Sequence, residues 1–188
     1  MIMSTNSNLY KKLLGVGLGS ALALAGSFLI APSEGLVTKT YLDPVNIITS
    51  CRGHTGPELK LGQTFTVDQC DKVFADDLIK HDKQLMSVVK VPFKSDYQHA
   101  AMLSFVYNAG IGNFSSSTML KKLNAKDYDG ACQELTKWVY AKKKMLKGLV
   151  IRRSLEYKYC MGEVPVEVIN ENVLMFKYQD VFPVFVVW

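Results

Sequence analysis

The sequence has few of the residues and spacings that mark a metal site or a nucleic-acid groove. Its 188 residues include only 3 histidines and 4 cysteines, and these form no CxxC pair and no Cys/His spacing typical of zinc ligands. No stretch interleaves aromatic side chains with Arg and Lys, as proteins that bind single strands do. We therefore expect neither a metal site nor a nucleic-acid partner.

Charge is missing from residues 13–31, which follow Lys11 and Lys12. A helix over this run would rise about 28 Å, close to the thickness of a bilayer core. The two lysines favour a cytoplasmic N-terminus with the rest of the chain exported. Three interpretations remain: a cleaved signal peptide with residues 23–25 (Ala-Leu-Ala) as its cleavage site, a permanent anchor, and a weak, reversible anchor. The many Gly, Ala and Ser residues make the run weakly apolar for a permanent span.

The four cysteines, Cys51, Cys70, Cys132 and Cys160, all lie outside the uncharged run. In an exported domain this number indicates two disulfides, for which three pairings exist. We favour Cys51–Cys70 and Cys132–Cys160, because each pair flanks one continuous piece of the middle region. Four reduced, buried thiols are the alternative.

The formal net charge of +5 is concentrated in residues 34–162. A basic surface suits an anionic partner, such as a membrane surface or an acidic polymer, and the charge alone does not choose between them. We interpret the basic run Lys142 to Lys144 and the pair Arg152 and Arg153 as solvated helix faces.

The region after residue 37 is predicted to form a small sheet. Residues 38–41 and 45–49 are rich in β-formers and flank a turn, in which Asn46 is a plausible residue of positive φ. Residues 163–188 alternate in a way that suggests a further strand, and we assign them no role.

Helical patterns dominate the remainder of the chain. Thr66 and Gln69 form a capping box before a long amphipathic helix that ends at Val91-Pro92. Ser95 caps a second helix, which ends at Gly110. Shorter helices are predicted over residues 117–123, from Asp127 onward and over residues 148–161. The last of these carries the apolar residues Leu149, Ile151, Leu155 and Tyr159. The fold class is therefore α+β, with a small β-lobe joined by a long helix to a larger all-helical lobe, and with an apolar helix at the N-terminus.

Glu34, Asp43 and Thr49 form the candidate catalytic group. Glycosidic cleavage needs an acid that protonates the leaving oxygen and a second group on the other face of the sugar. Glu34 follows the apolar run, a setting that favours the protonated form, whereas Asp43 lies in a polar turn and Thr49 can hold a water beside it. The alternative is an ordinary turn aspartate and a glutamate at a helix end.

Three further residues are candidates for binding substrate. Tyr41 can stack on a sugar or fill the small lobe. His54 can act on a ligand, or it can be a structural histidine bonded near the boundary between the lobes. Asn108 can cap a helix end or face the cleft.

The order of these residues resembles the T-even-phage-type lysozymes, glycoside hydrolase family 24. Glu34, eight residues, Asp43, five residues and Thr49 match the signature of that family without a gap. Residues 49–56, residues 104–120 and residues 148–156 resemble its later motifs, in the right order, so the resemblance covers roughly residues 34–161.

This resemblance implies the fold and the reaction. It implies inverting hydrolysis of the β-1,4 bond between N-acetylmuramic acid and N-acetylglucosamine in peptidoglycan, with Glu34 as the acid and with Asp43 and Thr49 ordering the attacking water. It implies no metal or organic cofactor and a monomeric active form. Asn46 departs from the family, in which a Gly is usual, and residues 163–188 have no counterpart in it.

The N-terminus resembles more narrowly the signal-arrest-release endolysins of lambdoid phages. That resemblance implies a releasable anchor in residues 1–33, a muramidase domain in residues 34–162 and an extension in residues 163–188. The chain would be held in the host inner membrane, N-terminus inside, and then released to the periplasm. While residues 13–31 span the bilayer, Glu34 cannot pack over Asp43, and release lets the segment refold onto the domain. Some relatives control release through a Cys in the anchor; this anchor has none, so we expect topological control. The alternatives are a membrane-tethered module that binds peptidoglycan without cleaving it and a secreted lysozyme with a cleaved signal.

Overall fold

A computed structural model describes residues 2–43 and 46–163 of the chain. It is a lysozyme-like α+β fold in which helices form the majority and a small antiparallel sheet lies near the N-terminal helices. The helical elements are α1 Ile2–Gly15, α2 Ser20–Leu24, a π-helical turn Ala25–Ile30, α3 Ala31–Glu34, α4 Val67–Val88, α5 Asp96–Ala109, α6 Ile111–Ser115, α7 Thr118–Asn124, α8 Tyr128–Leu135 and α9 Lys147–Cys160. The strands are β1 Val37–Leu42, β2 Ile48–Cys51, β3 His54–Thr55, β4 Tyr140–Ala141 and β5 Lys144–Met145.

The uncharged N-terminal run does not form the single apolar helix that we expected. Helix α1 ends inside it, because Gly17 adopts a φ of +89° and reverses the chain. Leu18 N donates to Leu13 O at 3.1 Å and Gly17 N donates to Leu14 O at 2.9 Å, the pattern of a Schellman motif. Among the described residues, no helix is long and apolar enough to cross a membrane.

From Ser20 the chain is helical without interruption through α2, the π-helical turn and α3. This helical segment continues past the uncharged run and ends at Glu34. The π-helical turn is packed closely against two other helices at Gly26. A Cβ at this position would lie 2.7 Å from Leu78 Cδ1 and 2.9 Å from Leu13 Cδ1, distances at which side chains clash. A side chain at position 26 would therefore have to displace both leucines where α1, the π-helical turn and α4 meet.

Helix α5 is the centre of the core. Its residues 100–106 are all buried, as expected of a helix surrounded by other elements. The N-terminal helices contribute to the same core, with Leu9, Leu13, Leu29 and Ile30 buried among residues of α4 and α5. In the described structure, the N-terminal segment is therefore packed onto the domain.

The sheet has the order β1-β2-β3, and both of its pairs are antiparallel. Tyr41 pairs with Thr49 across β1 and β2, and Val37 pairs with Cys51. Asn46 has a φ of +64° in the connecting turn, which confirms the expected role of that residue. The pairing of Val37 with Cys51 brings the loop after β2 beside the end of α3.

Several local predictions are confirmed. Thr66 and Gln69 form the capping box of α4, and Ser95 caps α5, which ends at Gly110 with a φ of +84°. The disulfides Cys51–Cys70 and Cys132–Cys160 are both present.

Helix α4 ends at Val88, a turn earlier than expected. Helix α6 was not predicted, because its five residues carry no pattern.

Both basic runs were interpreted wrongly. Lys142 and Lys143 form the turn of the β4–β5 hairpin, with φ values of +47° and +64°, and are not on a helix. Arg152 and Arg153 are on a helix, but they are 7% and 2% exposed. Of the four apolar residues predicted on this helix, Tyr159 is buried in the core, whereas Leu149, Ile151 and Leu155 line a cleft. Residues 163–188, for which we predicted a strand, lie outside the described residues except Glu163.

Gly26→Leu tests the docked arrangement of the N-terminal segment. We expect this substitution to lower the free energy of unfolding by about 1–3 kcal/mol through overpacking, measured by thermal unfolding of the purified full-length chain. Gly19→Leu is the matched control, because it adds the same side chain where no atom lies within 4 Å. Equal melting temperatures for the two variants would contradict the packing at Gly26.

Candidate active site

Glu34 occupies the junction of the N-terminal segment and the sheet. It ends α3, and Gly35 reverses the chain with a φ of +72°. Gly53, which follows β2, has a φ of +79°, and a Cβ there would lie 3.3 Å from Glu34 Oε2. The two glycines thus let the β2–β3 loop approach the carboxyl group closely. The Glu34 side chain remains 25% exposed and accessible to a ligand.

A cleft of about 500 Å³ adjoins Glu34. It lies between the end of α3 and the start of α9, and Asn108 at the end of α5 forms part of its wall. Leu146, Leu149 and Leu155 supply apolar wall, and Arg152 lies beside Glu34. The cleft therefore sets an acid, a cation and an amide in a largely apolar wall, which is the usual composition of a ligand-binding cleft.

A buried network of ion pairs holds Glu34 in place. Arg152 Nη1 donates to Glu34 Oε1 at 2.7 Å, and Arg152 Nε donates to Glu156 Oε1 at 3.2 Å. Arg153 donates to the other oxygen of Glu156 and to Asn108 Oδ1. Ser104 Oγ donates to Glu156 Oε1 at 2.7 Å. Two guanidinium groups therefore face two carboxylates, so the cluster is electrically balanced, as buried charges need to be.

Asp43 and Thr49 are held together by the peptide groups of Ile47. Ile47 N donates to Asp43 Oδ1 at 2.8 Å, and Thr49 Oγ1 donates to Ile47 O at 3.2 Å. Because the Thr49 hydroxyl proton is engaged, its oxygen can accept from a further donor such as water. The turn thus links the Asp43 carboxylate to the hydroxyl of the buried Thr49 through one residue. Neither side chain is among the described residues that line the cleft at Glu34.

The three predicted binding residues have different surroundings. Tyr41 is 40% exposed on β1. His54 has carboxylates at both ring nitrogens: Nδ1 lies 2.8 Å from Asp77 Oδ2 and Nε2 lies 2.7 Å from Glu58 Oε1. These contacts join β3 to α4 and favour a structural role for His54. Asn108 lines the cleft near the end of α5, and its side-chain oxygen accepts from Arg153.

Tyr107 connects the helical lobe to the loop that approaches Glu34. Its hydroxyl donates to Arg52 O at 2.9 Å. Burial, followed by the negative charges of Asp77 and Glu34, raises the pKa of Tyr107, so the phenol keeps its proton and remains a donor. Arg52 Nη1 reaches Gly35 O at 3.5 Å and Arg52 Nη2 reaches Asp71 Oδ1 at 3.6 Å.

Sequence reasoning missed the network around Arg152 and Arg153. The available signal was the spacing of the two arginines from Glu156, three and four residues apart, which places all three within one patch of a helix. In the described part of the chain, no group of three or more His, Cys, Asp or Glu side chains is arranged to hold a metal ion.

A small antiparallel sheet, a helical lobe and an acidic residue in a cleft beside the sheet place this protein among hydrolases of the lysozyme-like fold. Residues 31–156 match the sequence model of the family described as Phage lysozyme, which covers more than half of the chain. The chain therefore belongs to the phage lysozyme family, whose members hydrolyse peptidoglycan.

Similar proteins agree with this family. The SAR-endolysin of Bacteriophage PS119 is 39% identical over 148 residues, which cover 76% of this chain and 88% of that protein. The endolysin from Escherichia coli O157:H7 phage FAHEc1 superposes with a TM-score of 0.66 at 27% identity, over 74% of this chain and 92% of the other. The active form of the P1 phage endolysin Lyz shares the fold, with a TM-score of 0.72 at 21% identity over 89% and 97% of the two chains.

Glu156→Gln tests the buried network. The change leaves two buried guanidinium groups with a single carboxylate, so we expect the free energy of unfolding to fall by about 3–5 kcal/mol, measured by urea denaturation. Asp129→Asn is the control, because its ion pair with Lys94 is exposed and should contribute less than about 1 kcal/mol. An unchanged urea midpoint for the Glu156 variant would refute the stabilising role of the network.

Proposed function

We propose that this protein is a phage endolysin, a muramidase that cleaves the β-1,4 bond between N-acetylmuramic acid and N-acetylglucosamine in peptidoglycan and so lyses the host cell. The observation that carries the proposal is the position of Glu34, at the rim of a cleft of about 500 Å³ and bonded to the buried Arg152. The match to the phage lysozyme family over residues 31–156 supports it.

The proposed reaction divides its tasks between two carboxyl groups. Glu34 donates a proton to the glycosidic oxygen that leaves, because it is the carboxyl group in the cleft wall. Asp43 accepts a proton from the attacking water, which also donates to Thr49 Oγ1. The bonds of both side chains to Ile47 support this pairing. Attack from the face opposite Glu34 gives inversion at the anomeric carbon.

Arg152 acts on the reaction as a positioning residue. Its guanidinium group is fixed on one side by Glu156 and Ser104 O, so its bond to Glu34 holds the carboxyl group in one orientation. The apolar side chains of α9 that line the cleft exclude water from the leaving-group side. No metal or organic cofactor enters the proposed mechanism.

Glu34→Gln tests the catalytic assignment. Glutamine retains an oxygen that accepts from Arg152, but it cannot donate the carboxylic proton. We expect the rate of peptidoglycan cleavage to fall by at least about 10²–10⁴. The variant should still be exported and folded, because Glu34 is 25% exposed, unlike the fully buried Glu156, and the amide keeps the bond to Arg152. Glu163→Gln, on the surface after α9, is the matched control with full activity. Reducing ends measure the rate, and the anomeric form of the product reports inversion.

Full activity of the Glu34 variant would contradict the assignment. Wild-type protein that binds peptidoglycan and releases no reducing ends would instead support the non-enzymatic binding module. Products with 1,6-anhydro ends would identify a lytic transglycosylase and exclude the proposed hydrolysis.

We further propose that the protein is tethered to the inner membrane before it acts. The Schellman turn at Gly17 divides a run that would otherwise be one uncharged helix of bilayer length. In the proposed tethered form, this run would be one membrane-spanning helix and would hold Glu34 at the membrane surface. In the described form, the run is folded into two packed helices, and Glu34 lies beside Arg152. The tethered form would therefore lack the active site.

The positions of Lys11 and Lys12 indicate what opposes release from the membrane. In the docked form Lys12 Nζ donates to Asp71 Oδ2 at 2.9 Å and to Asp68 Oδ1 at 3.0 Å, and these bonds raise the pKa of Lys12. In a tethered form with its N-terminus inside, Lys11 and Lys12 would lie on the cytoplasmic side. Release then requires both charges to cross the membrane, against a potential worth about 2.3 kcal/mol per charge at 100 mV.

Collapse of the membrane potential is expected to move the protein from the membrane fraction to the soluble periplasmic fraction. The intact mass should be unchanged, because residues 1–25 include helices packed in the core. Loss of those residues would support the secreted lysozyme with a cleaved signal, and retention in the membrane after collapse would contradict release. Membrane fractionation followed by mass spectrometry of the full-length chain measures both outcomes.

A further inference from the structure

The β4–β5 hairpin carries a concentrated positive charge at its tip. Lys142 and Lys143 form the turn, and Lys144 begins the second strand. All three are exposed, and across residues 2–43 and 46–163 none of them is paired with a carboxylate. The charge is therefore available to a partner outside the chain.

The backbone of this turn is unusual for lysine. Both turn residues have positive φ, +47° at Lys142 and +64° at Lys143. A two-residue hairpin turn of this kind favours Asn-Gly, because a Cβ is disfavoured at positive φ. Folding alone would thus select other residues at both positions.

The base of the hairpin is fixed at the rim of the cleft. Arg153 Nε donates to Trp138 O at 3.3 Å, just before β4, and Leu146 N donates to Val139 O at 2.9 Å. Leu146, directly after β5, lines the cleft that also contains Glu34. A ligand that leaves the cleft past Leu146 would therefore meet the hairpin first.

The hairpin also presents apolar surface beside its charge. Tyr140 and Met145 pair across the two strands, and each is 63% exposed. A flat apolar pair next to a cationic tip fits a ligand that combines carbon-rich surface with carboxylates.

We propose that this hairpin binds the peptide branches of peptidoglycan, which carry free carboxylates, while the glycan strand lies in the cleft. The inference rests on the proposed function and adds a second point of contact with the same polymer. An anionic bilayer is the other partner of suitable charge, but the position of Leu146 in the cleft wall favours the polymer.

The double variant Lys142→Asn/Lys143→Gly tests the proposal. It installs the residues that the turn favours, so it removes two charges without weakening the hairpin. We expect kcat/KM on intact sacculi to fall about threefold to tenfold at low salt, and the difference to shrink at high salt. On glycan strands from which an amidase has removed the peptides, the variant should match the wild type within about twofold.

Single substitutions provide matched controls. Lys143→Arg keeps the charge and should retain activity. Lys126→Gly removes one charge and one lysine of positive φ, +63°, from the turn between α7 and α8, away from the cleft. It should leave cleavage of both substrates unchanged, whereas Lys143→Gly should lower cleavage of intact sacculi.

The possible outcomes separate this inference from the proposed function. A wild type that cleaves neither substrate would refute the proposed function. A double variant that equals the wild type on sacculi, or that loses activity equally on both substrates, would overturn peptide recognition by the hairpin. Loss of binding to vesicles of phosphatidylglycerol, with cleavage of sacculi unchanged, would assign the hairpin to the membrane and also overturn it.

Discussion

The ion pair between Arg152 and Glu34 is the contact on which the active site depends. It joins the last residue of the N-terminal helical segment to the last helix of the domain, 118 positions apart in sequence. Arg152 is buried and is also bonded to Glu156, so it cannot follow Glu34 if the N-terminal segment moves away. Moving Glu34 away leaves the buried Arg152 to share the single carboxylate of Glu156 with Arg153, which is costly. Formation of the site and docking of the N-terminal segment are therefore one event.

The parts of the fold that were predicted correctly depend on short-range signals. The capping box at Thr66, the cap at Ser95 and the positive φ of Asn46 and Gly110 each follow from a few neighbouring residues. The three candidate catalytic residues were proposed from their spacing and order. The structure has Glu34 at the cleft and joins the other two through Ile47, and their catalytic roles stay a prediction.

The parts that were not predicted depend on environment. Arg152 and Arg153 were assigned to solvent because isolated charges belong there, yet their partners Glu34, Glu156 and Asn108 make burial possible. The missing information was that these partners converge from three different helices. Similarly, nothing within residues 13–31 decides between one straight helix and two helices separated by a turn at Gly17. The same uncharged residues suit a bilayer as a straight helix and a protein core as two packed helices.

The same conflict explains the composition of the N-terminal run. A segment that only had to span a membrane would be more stable with large apolar side chains, but a segment that must also dock needs small residues at its contacts. Gly26 shows the second requirement directly, since Leu78 and Leu13 occupy the space that a side chain would take. In the described fold, Gly26 and the buried alanines supply the close packing that holds the segment against the domain. In the tethered form proposed above, the same small residues would weaken the hold of the bilayer. A large apolar side chain at Gly26 would therefore favour the membrane at the expense of the docked segment.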